Sequence, residues 1–184
     1  MPVRRRSTYQ DLAALPPHLV GELIDGELIA SPRPALPHAG AASALSVLIG
    51  GPFRFGIGGP GGWMILDEPE LHLGSNVLVP DLAGWRRERM PELPDEAAFT
   101  LAPDWVCEVL SRGTEARDRS AKMPLYAREQ VGHVWLVDPI VQTLEVFRRD
   151  GARWLLLSTE TGDAKVSAEP FEAVELDLAR LWAR

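Results

Sequence analysis

The sequence predicts a single mixed α/β domain over residues 1–184, with strands and helices alternating around a central mixed β-sheet flanked by helices, with added hairpins. Three observations lead there. Short apolar runs of strand length, WVCEVL and HVWLVD, read as strands buried on both faces. Asp-Gly pairs at 25–26 and 150–151 lie between β-prone runs, the strongest short-range hairpin signal. Segments with apolar residues at helical spacing separate these strands. A chain of 184 residues, 46% of them hydrophobic, can bury one substantial core.

The elements follow in order. Ser7 or Thr8 caps a short helix through TYQDLAAL, Asp11 suits its positive end, and Pro16-Pro17 ends it. GELIDGELIASP is a hairpin turning at Asp25-Gly26. From His38 to Ile49, Ala41, Leu45, Leu48 and Ile49 mark a core-packed helix that Gly50-Gly51-Pro52 should stop. FGIGGPGGW has no GxxxxGK[ST] pattern and reads as a loop, not a phosphate cradle. WMILDEPELHL and NVLVPDLAGW should pair antiparallel across Gly74-Ser75-Asn76. PDWVCEVLS is a buried central strand. A polar stretch then leads into a helix that carries Lys122 near its start and Pro124 in its first turn. HVWLVDP is a further buried strand, TLEVFRRDGARWLLLS a hairpin about Asp150-Gly151, and LDLARLWAR a terminal helix.

Composition narrows the function. A single cysteine, Cys107, excludes a disulfide framework and any cysteine-based zinc site, and it fits a reducing cytoplasm. No run is apolar enough for a signal peptide or a membrane span, so no membrane partner is expected. The net charge of −7 argues against a surface that coats nucleic acid by bulk electrostatics. A site that gathers acids for a cation lowers net charge by itself, and a strip such as Arg86, Arg87 and Arg89 can still meet a phosphate backbone. The cations are seventeen arginines and two lysines, Lys122 and Lys165, which singles out each lysine.

Two acids interrupt otherwise apolar strands: Asp81 in VLVPDLAGW and Glu108 in WVCEVL. A carboxylate on a buried strand is costly unless something pairs with or coordinates it. A hard divalent cation satisfies both, since Mg²⁺ takes a few carboxylates plus water and leaves room for a phosphate oxygen. Taken singly, each acid is better explained by a strand-end pairing with arginine or backbone donors, and only together with Lys122 does the site reading gain. An ammonium beside them, Lys122, can orient an attacking water and offset charge building on phosphorus. Asp118 and Tyr126, four residues before and after Lys122, share its face if the segment is helical. Asp118 can orient the lysine; a surface ion pair and a core tyrosine are the plainer alternative.

The order GELIDGEL, a helix opening near His38, VPD with Asp81, CEVLS with Glu108, D-x-x-x-K with Asp118 and Lys122, then LYA and VWLVDP closely resembles a large bacterial restriction-endonuclease family of the PD-(D/E)XK superfamily. The resemblance runs from about Thr8 to Leu157. It implies a restriction-endonuclease-like fold and a Mg²⁺-dependent endonuclease, in which Mn²⁺ can substitute, with DNA as substrate; since one active site cuts one strand, double-strand cleavage takes a dimer or repeated action, and a homodimer is expected. Pro80-Asp81 matches the PD of the signature, which makes Asp81 the bridging metal ligand. Glu108 matches the acidic position and is the second ligand, with the backbone carbonyl of Val109 as a third. The signature lysine two residues on is replaced by Leu110. The resemblance is then to members whose lysine has moved to a neighbouring helix, which points to Lys122. Glu22 matches an acid of the first hairpin, with a role in positioning the lysine or a second cation. His38 matches a histidine at the start of the second helix and takes a supporting role.

The remaining acids and histidines read as structural. His18, His72 and His133 have no zinc spacing. Asp25, Asp138 and Asp150 precede turns. Cys107 should face away from Glu108 by strand alternation, into the core. Two other functions remain open on the sequence: a nuclease-like fold that binds or assembles without turnover, and hydrolysis of another phosphate ester.

Overall fold

The computed structural model describes residues 5–183. Helix α1 (Tyr9–Ala13) starts at Thr8, whose hydroxyl accepts from the Asp11 N–H while the Asp11 carboxylate accepts from the Thr8 N–H, a reciprocal capping box. Strands β1 (Leu19–Ile24) and β2 (Glu27–Pro32) pair antiparallel. Both turn residues have positive φ, 50° at Asp25 and 86° at Gly26, the combination a tight hairpin needs and Asp-Gly supplies.

Helix α2 (Leu36–Ile49) buries His38, Ala41, Leu45 and Ile49 along one stripe. The expected stop at Gly50-Gly51-Pro52 does not occur, because a π-helical turn, Gly50–Arg54, continues the helix. The wider turn relieves the clash of the Pro52 ring with the preceding carbonyl, and two glycines leave space for it. The loop after it then folds back on Pro52, so closely that a Cβ on Gly59 would lie 2.4 Å from the Pro52 Cβ.

The next four strands are β3 (Trp63–Asp67), β4 (Leu71–Leu73), β5 (Asn76–Leu78) and β6 (Leu82–Arg86). Their antiparallel pairing is as expected, but it is shared between two sheets. β3 pairs with β6, while β4 and β5 join the first hairpin in a four-stranded sheet, β2-β1-β5-β4. Pro69 and Pro80 mark the two breaks, where a missing N–H ends each ladder. Asp81 therefore sits at a corner between sheets.

The main sheet has six strands in the order β10-β9-β8-β7-β6-β3. Its centre is the parallel pair β7 (Trp105–Val109) and β8 (His133–Asp138). Their crossover is α3 (Glu115–Arg117), a π-helical turn (Asp118–Lys122) and α4 (Met123–Arg128). β9 (Thr143–Asp150) and β10 (Arg153–Thr161) complete it as a hairpin. One face packs Trp105, Cys107, Val109 and Trp135 against α2 and Phe171; the other packs Val106, Val134 and Leu136 against Leu125 and Tyr126 of α4. Cys107 is buried on the face opposite Glu108, and burial, then Asp81 and Glu108, push its thiol pKa well up, so it has no thiolate to offer.

Among the described residues β11 (Lys165–Val166) and β12 (Leu176–Asp177) form a small third sheet beside the central mixed sheet and the hairpin sheet. The expected terminal helix is correspondingly shorter, α5 (Ala179–Trp182), because its first residues pair as β12.

At the start of β8, His133 Nε2 meets Glu169 at 3.2 Å, and Arg148 meets Glu169 at 3.1 Å. Burial holds the His133 pKa below its ordinary value despite Glu169. The unfolded chain therefore takes up the proton first, so this contribution is complete above the unfolded pKa, about 6.5, and is lost as pH falls through the folded value. Urea unfolding of wild type and His133→Gln should show stability declining more steeply in wild type from about pH 7 to pH 5. Parallel pH profiles would contradict it.

Candidate active site

The C-terminal end of β7, the corner before β6, the first hairpin and the crossover converge on one cleft, whose lining includes Glu22, His38, Asp81, Glu108, Val109, Asp118 and Lys122. Each acid arrives by a different local cause. β1 brings Glu22 on a strand, the Pro80 break turns Asp81 inward, and strand alternation puts Glu108 on the α4 face. The crossover lowers Lys122 onto Glu22 and Glu108.

Lys122 is 3% exposed, and its ammonium lies 2.7 Å from Glu108 Oε1, 3.0 Å from Glu22 Oε1 and 3.8 Å from Asp118 Oδ1. Burial alone would lower its pKa, but Glu108, Glu22 and Asp118 outweigh it and push it up. Lys122 is a fixed positive charge and not a base. The Glu108 carboxyl goes the other way from an ordinary ion pair: burial, with Asp118, Asp81 and Glu22, raises its pKa well above the usual range against the pull of Lys122. Asp118 is raised too, chiefly by burial.

The remaining hydrogen bonds fix the acids in place. Tyr126 donates its hydroxyl to Glu108 Oε1 at 2.5 Å, and burial followed by Glu108 pushes its pKa well up, so it stays a donor. The Val79 N–H donates to Glu22 Oε1 at 3.0 Å. Asp81 accepts the Val109 N–H on Oδ2 at 2.6 Å and meets His38 Nε2 with Oδ1 at 2.7 Å. Asp81 thus bridges β7 and α2. His38 Nδ1 is buried with no partner among the described residues, which assigns the proton to Nε2, where it reaches Asp81.

Every site residue read from the sequence is in this cluster: Asp81, Glu108, Val109, Lys122, Glu22, His38, Asp118 and Tyr126. The Arg86, Arg87 and Arg89 strip is not. It lies at the opposite end of β6 from Asp81, about 16 Å away at strand rise, with Arg89 paired to Asp104 and Arg86 over the Trp63 ring. Two lining residues escaped the sequence reading. Glu68 adopts φ of 45° and donates its N–H to the Asp81 carbonyl, and Arg117 donates to Ser31 Oγ at 3.1 Å. The signal for Glu68 is its place before Pro69, which excludes helical backbone; Arg117 had none beyond adjacency to Asp118.

The donor set suits a hard cation. Three carboxylates, Glu22, Glu108 and Asp118, surround Lys122, and Asp81 lines the same cleft, so carboxylates outnumber cations there. Among the described residues no three His, Cys, Asp or Glu side chains converge as a ready metal cage. Mg²⁺ does not need one, because it is held by one or two carboxylates plus water and phosphate oxygens. Asp81 and Glu108 can supply those carboxylates, and the C=O of Val109 points to the same side of β7 as the N–H that Asp81 accepts.

The sequence profile of the Uma2 family, described as "Putative restriction endonuclease", matches residues 7–179. The chain belongs to that family. A crystal structure titled as a putative nuclease of DUF820 from Anabaena variabilis ATCC 29413 superposes with a TM-score of 0.68 at 22% identity, covering 96% of this chain and 97% of that one. No curated protein matches the sequence. This Uma2 chain therefore has a nuclease fold with its sheets closed around an acidic cleft, and it is a nuclease-like hydrolase. Among the described residues no helix is long and apolar enough to cross a membrane.

Proposed function

We propose that this chain hydrolyses phosphodiester bonds in DNA with Mg²⁺ held by Asp81, Glu108 and the Val109 carbonyl. The observation that carries the reading is the charge imbalance of the cleft: converging carboxylates, with Glu108 and Asp118 raised in pKa chiefly by burial, against a single buried ammonium. The ion, when bound, supplies that missing charge, polarises a phosphate oxygen and acidifies a water. The protein's own groups do the rest. Tyr126 and Lys122 hold the Glu108 carboxylate in one orientation, and His38 and the Val109 N–H do the same for Asp81. Lys122 stays protonated through the reaction, so it orients the attacking water and offsets negative charge developing on the phosphoryl oxygens. Glu22 and Asp118 keep the ammonium from leaving. With one cleft per chain, cutting both strands takes two copies or two events, and a homodimer is the simpler arrangement.

The deciding experiment incubates purified protein with duplex DNA and, separately, with a small aryl phosphodiester, each with Mg²⁺, Mn²⁺ or EDTA. Metal-dependent cleavage of DNA supports the proposal. Turnover of the small ester alone identifies another phosphate ester as substrate. Calorimetric Mn²⁺ binding with no turnover of either supports a second reading, a nuclease fold used for binding, which the net charge of −7 favours.

A further inference from the structure

We infer that Arg117, with the hydroxyl of Ser31, forms a phosphate-binding ledge at the mouth of the cleft, which seats a backbone phosphate of the substrate while the scissile one meets the carboxylates. The inference rests on the proposed phosphodiesterase function for its substrate class, but the ledge itself rests on the placement of Arg117. Both residues line the same cleft as the acids. Arg117 is half-buried there, next in sequence to Asp118, in a site where carboxylates outnumber cations. An arginine so placed would ordinarily pair with one of them. Instead its guanidinium donates to a neutral partner, Ser31 Oγ on β2 at 3.1 Å, and none of the described carboxylates lies within ion-pair distance of it. Only a fraction of the planar five-donor fork is used, and the rest is free for a tetrahedral oxyanion.

Ser111 Oγ and Thr114 Oγ1 lie 3.1 Å apart at the start of the crossover, and Thr114 also hydrogen-bonds the Asp118 carboxylate, so these two hydroxyls brace the turn beside Arg117. The lining thus sets one guanidinium, that of Arg117, beside the carboxylates. That placement has a physical use, because the carboxylates repel an approaching polyanion, and a guanidinium at the entrance offsets the repulsion while holding the phosphate in register.

The test compares wild type with Arg117→Gln, Arg117→Lys and Ser31→Ala. Binding of a fluorescein-labelled DNA duplex is followed by anisotropy across a salt series, and binding of inorganic phosphate by calorimetry. Arg117→Gln should weaken duplex binding about tenfold at low salt, equally for unrelated sequences, and reduce the slope of log affinity against log salt by about 0.9. It should raise KM for DNA by a similar factor and weaken inorganic phosphate. Arg117→Lys should restore the salt slope, because the charge returns without the fork. Ser31→Ala keeps the guanidinium and should weaken binding less than Arg117→Gln. The ledge is overturned if Arg117→Gln leaves the slope and phosphate binding unchanged, or if Ser31→Ala matches its effect, which is the signature of a mere tether between β2 and the crossover. If wild type neither binds nor cleaves DNA yet binds inorganic phosphate through Arg117, the ledge stands and DNA as substrate falls.

Discussion

Lys122→Met should destabilise the protein by about 3–5 kcal/mol and remove its hydrolytic activity. The stability loss follows from what the change leaves behind. Glu108, Glu22 and Asp118 are buried around the ammonium, and without it the three acids face one another at low dielectric. Methionine fills the volume and satisfies none of the charge. Urea unfolding in EDTA at neutral pH measures this loss, and a variant within about 1 kcal/mol of wild type would show the acids to be stabilised by other means. Because unfolding could by itself explain lost activity, Lys122→Arg is the companion variant. Its charge sustains the cluster to a greater degree, but its planar fork cannot reproduce a compact ammonium 2.7 Å from Glu108, so it should regain stability without regaining full turnover.

Asp81→Asn should do the reverse, keeping the fold while losing more than about 100-fold in Mn²⁺ affinity and in cleavage, since even indirect metal partners are worth about 10–100-fold. The amide oxygen of asparagine can still accept the Val109 N–H, and its NH₂ can donate to His38 Nε2 once the imidazole proton moves to Nδ1. The bridge between β7 and α2 survives, so unfolding stability should stay within about 1 kcal/mol of wild type. What is removed is charge, and with it the contribution of Asp81 to holding a cation. Calorimetric Mn²⁺ titration and DNA cleavage measure it. An Asp81→Asn variant that binds Mn²⁺ and cuts as wild type does would eliminate Asp81 as a ligand.

The two variants separate because the acids are held differently. Asp81 is tied by neutral donors from two elements and loses little when its charge goes. Lys122 is, among the described residues, the one ammonium within ion-pair distance of Glu22, Glu108 and Asp118, so the fold and the proposed function would depend on the same atom. The elevated pKa of Glu108 expresses the same cost, since burial and three neighbouring acids resist its ionisation.

Much of this site is legible in the residues alone. Asp81 and Glu108 stand out because a carboxylate inside an apolar strand needs a partner, and Lys122 because it is one of two lysines. The spacing Asp118, Lys122, Tyr126 places three groups on one helical face, and the structure has them meeting Glu108 through Lys122 and Tyr126. Arg117 is not legible, since an isolated charge in a polar stretch carries no periodicity and no burial signal, and Glu68 shows only its place before Pro69. The glycine stop after α2 fails because the wider π turn tolerates a proline that an α-helix would not. The central mixed sheet is as expected, but β4 and β5 leave it for the first hairpin because proline breaks at 69 and 80 redirect the chain, and a break in pattern does not say which sheet the next strand joins.

Local rules, which act within a few residues, therefore determined the capping box at Thr8, the Asp25-Gly26 turn, the buried strands β7 and β8 and the identity of the acids. Tertiary structure alone decided that Glu22, far upstream of Asp118, shares its lysine, that His38 braces Asp81, and that Arg117 is held by a serine and not by a carboxylate. The physical reason is the range of the forces. Hydrogen-bonding preferences and side-chain periodicity are written along the chain, whereas the desolvation and charge balance of a buried cluster depend on which distant segments the core brings together.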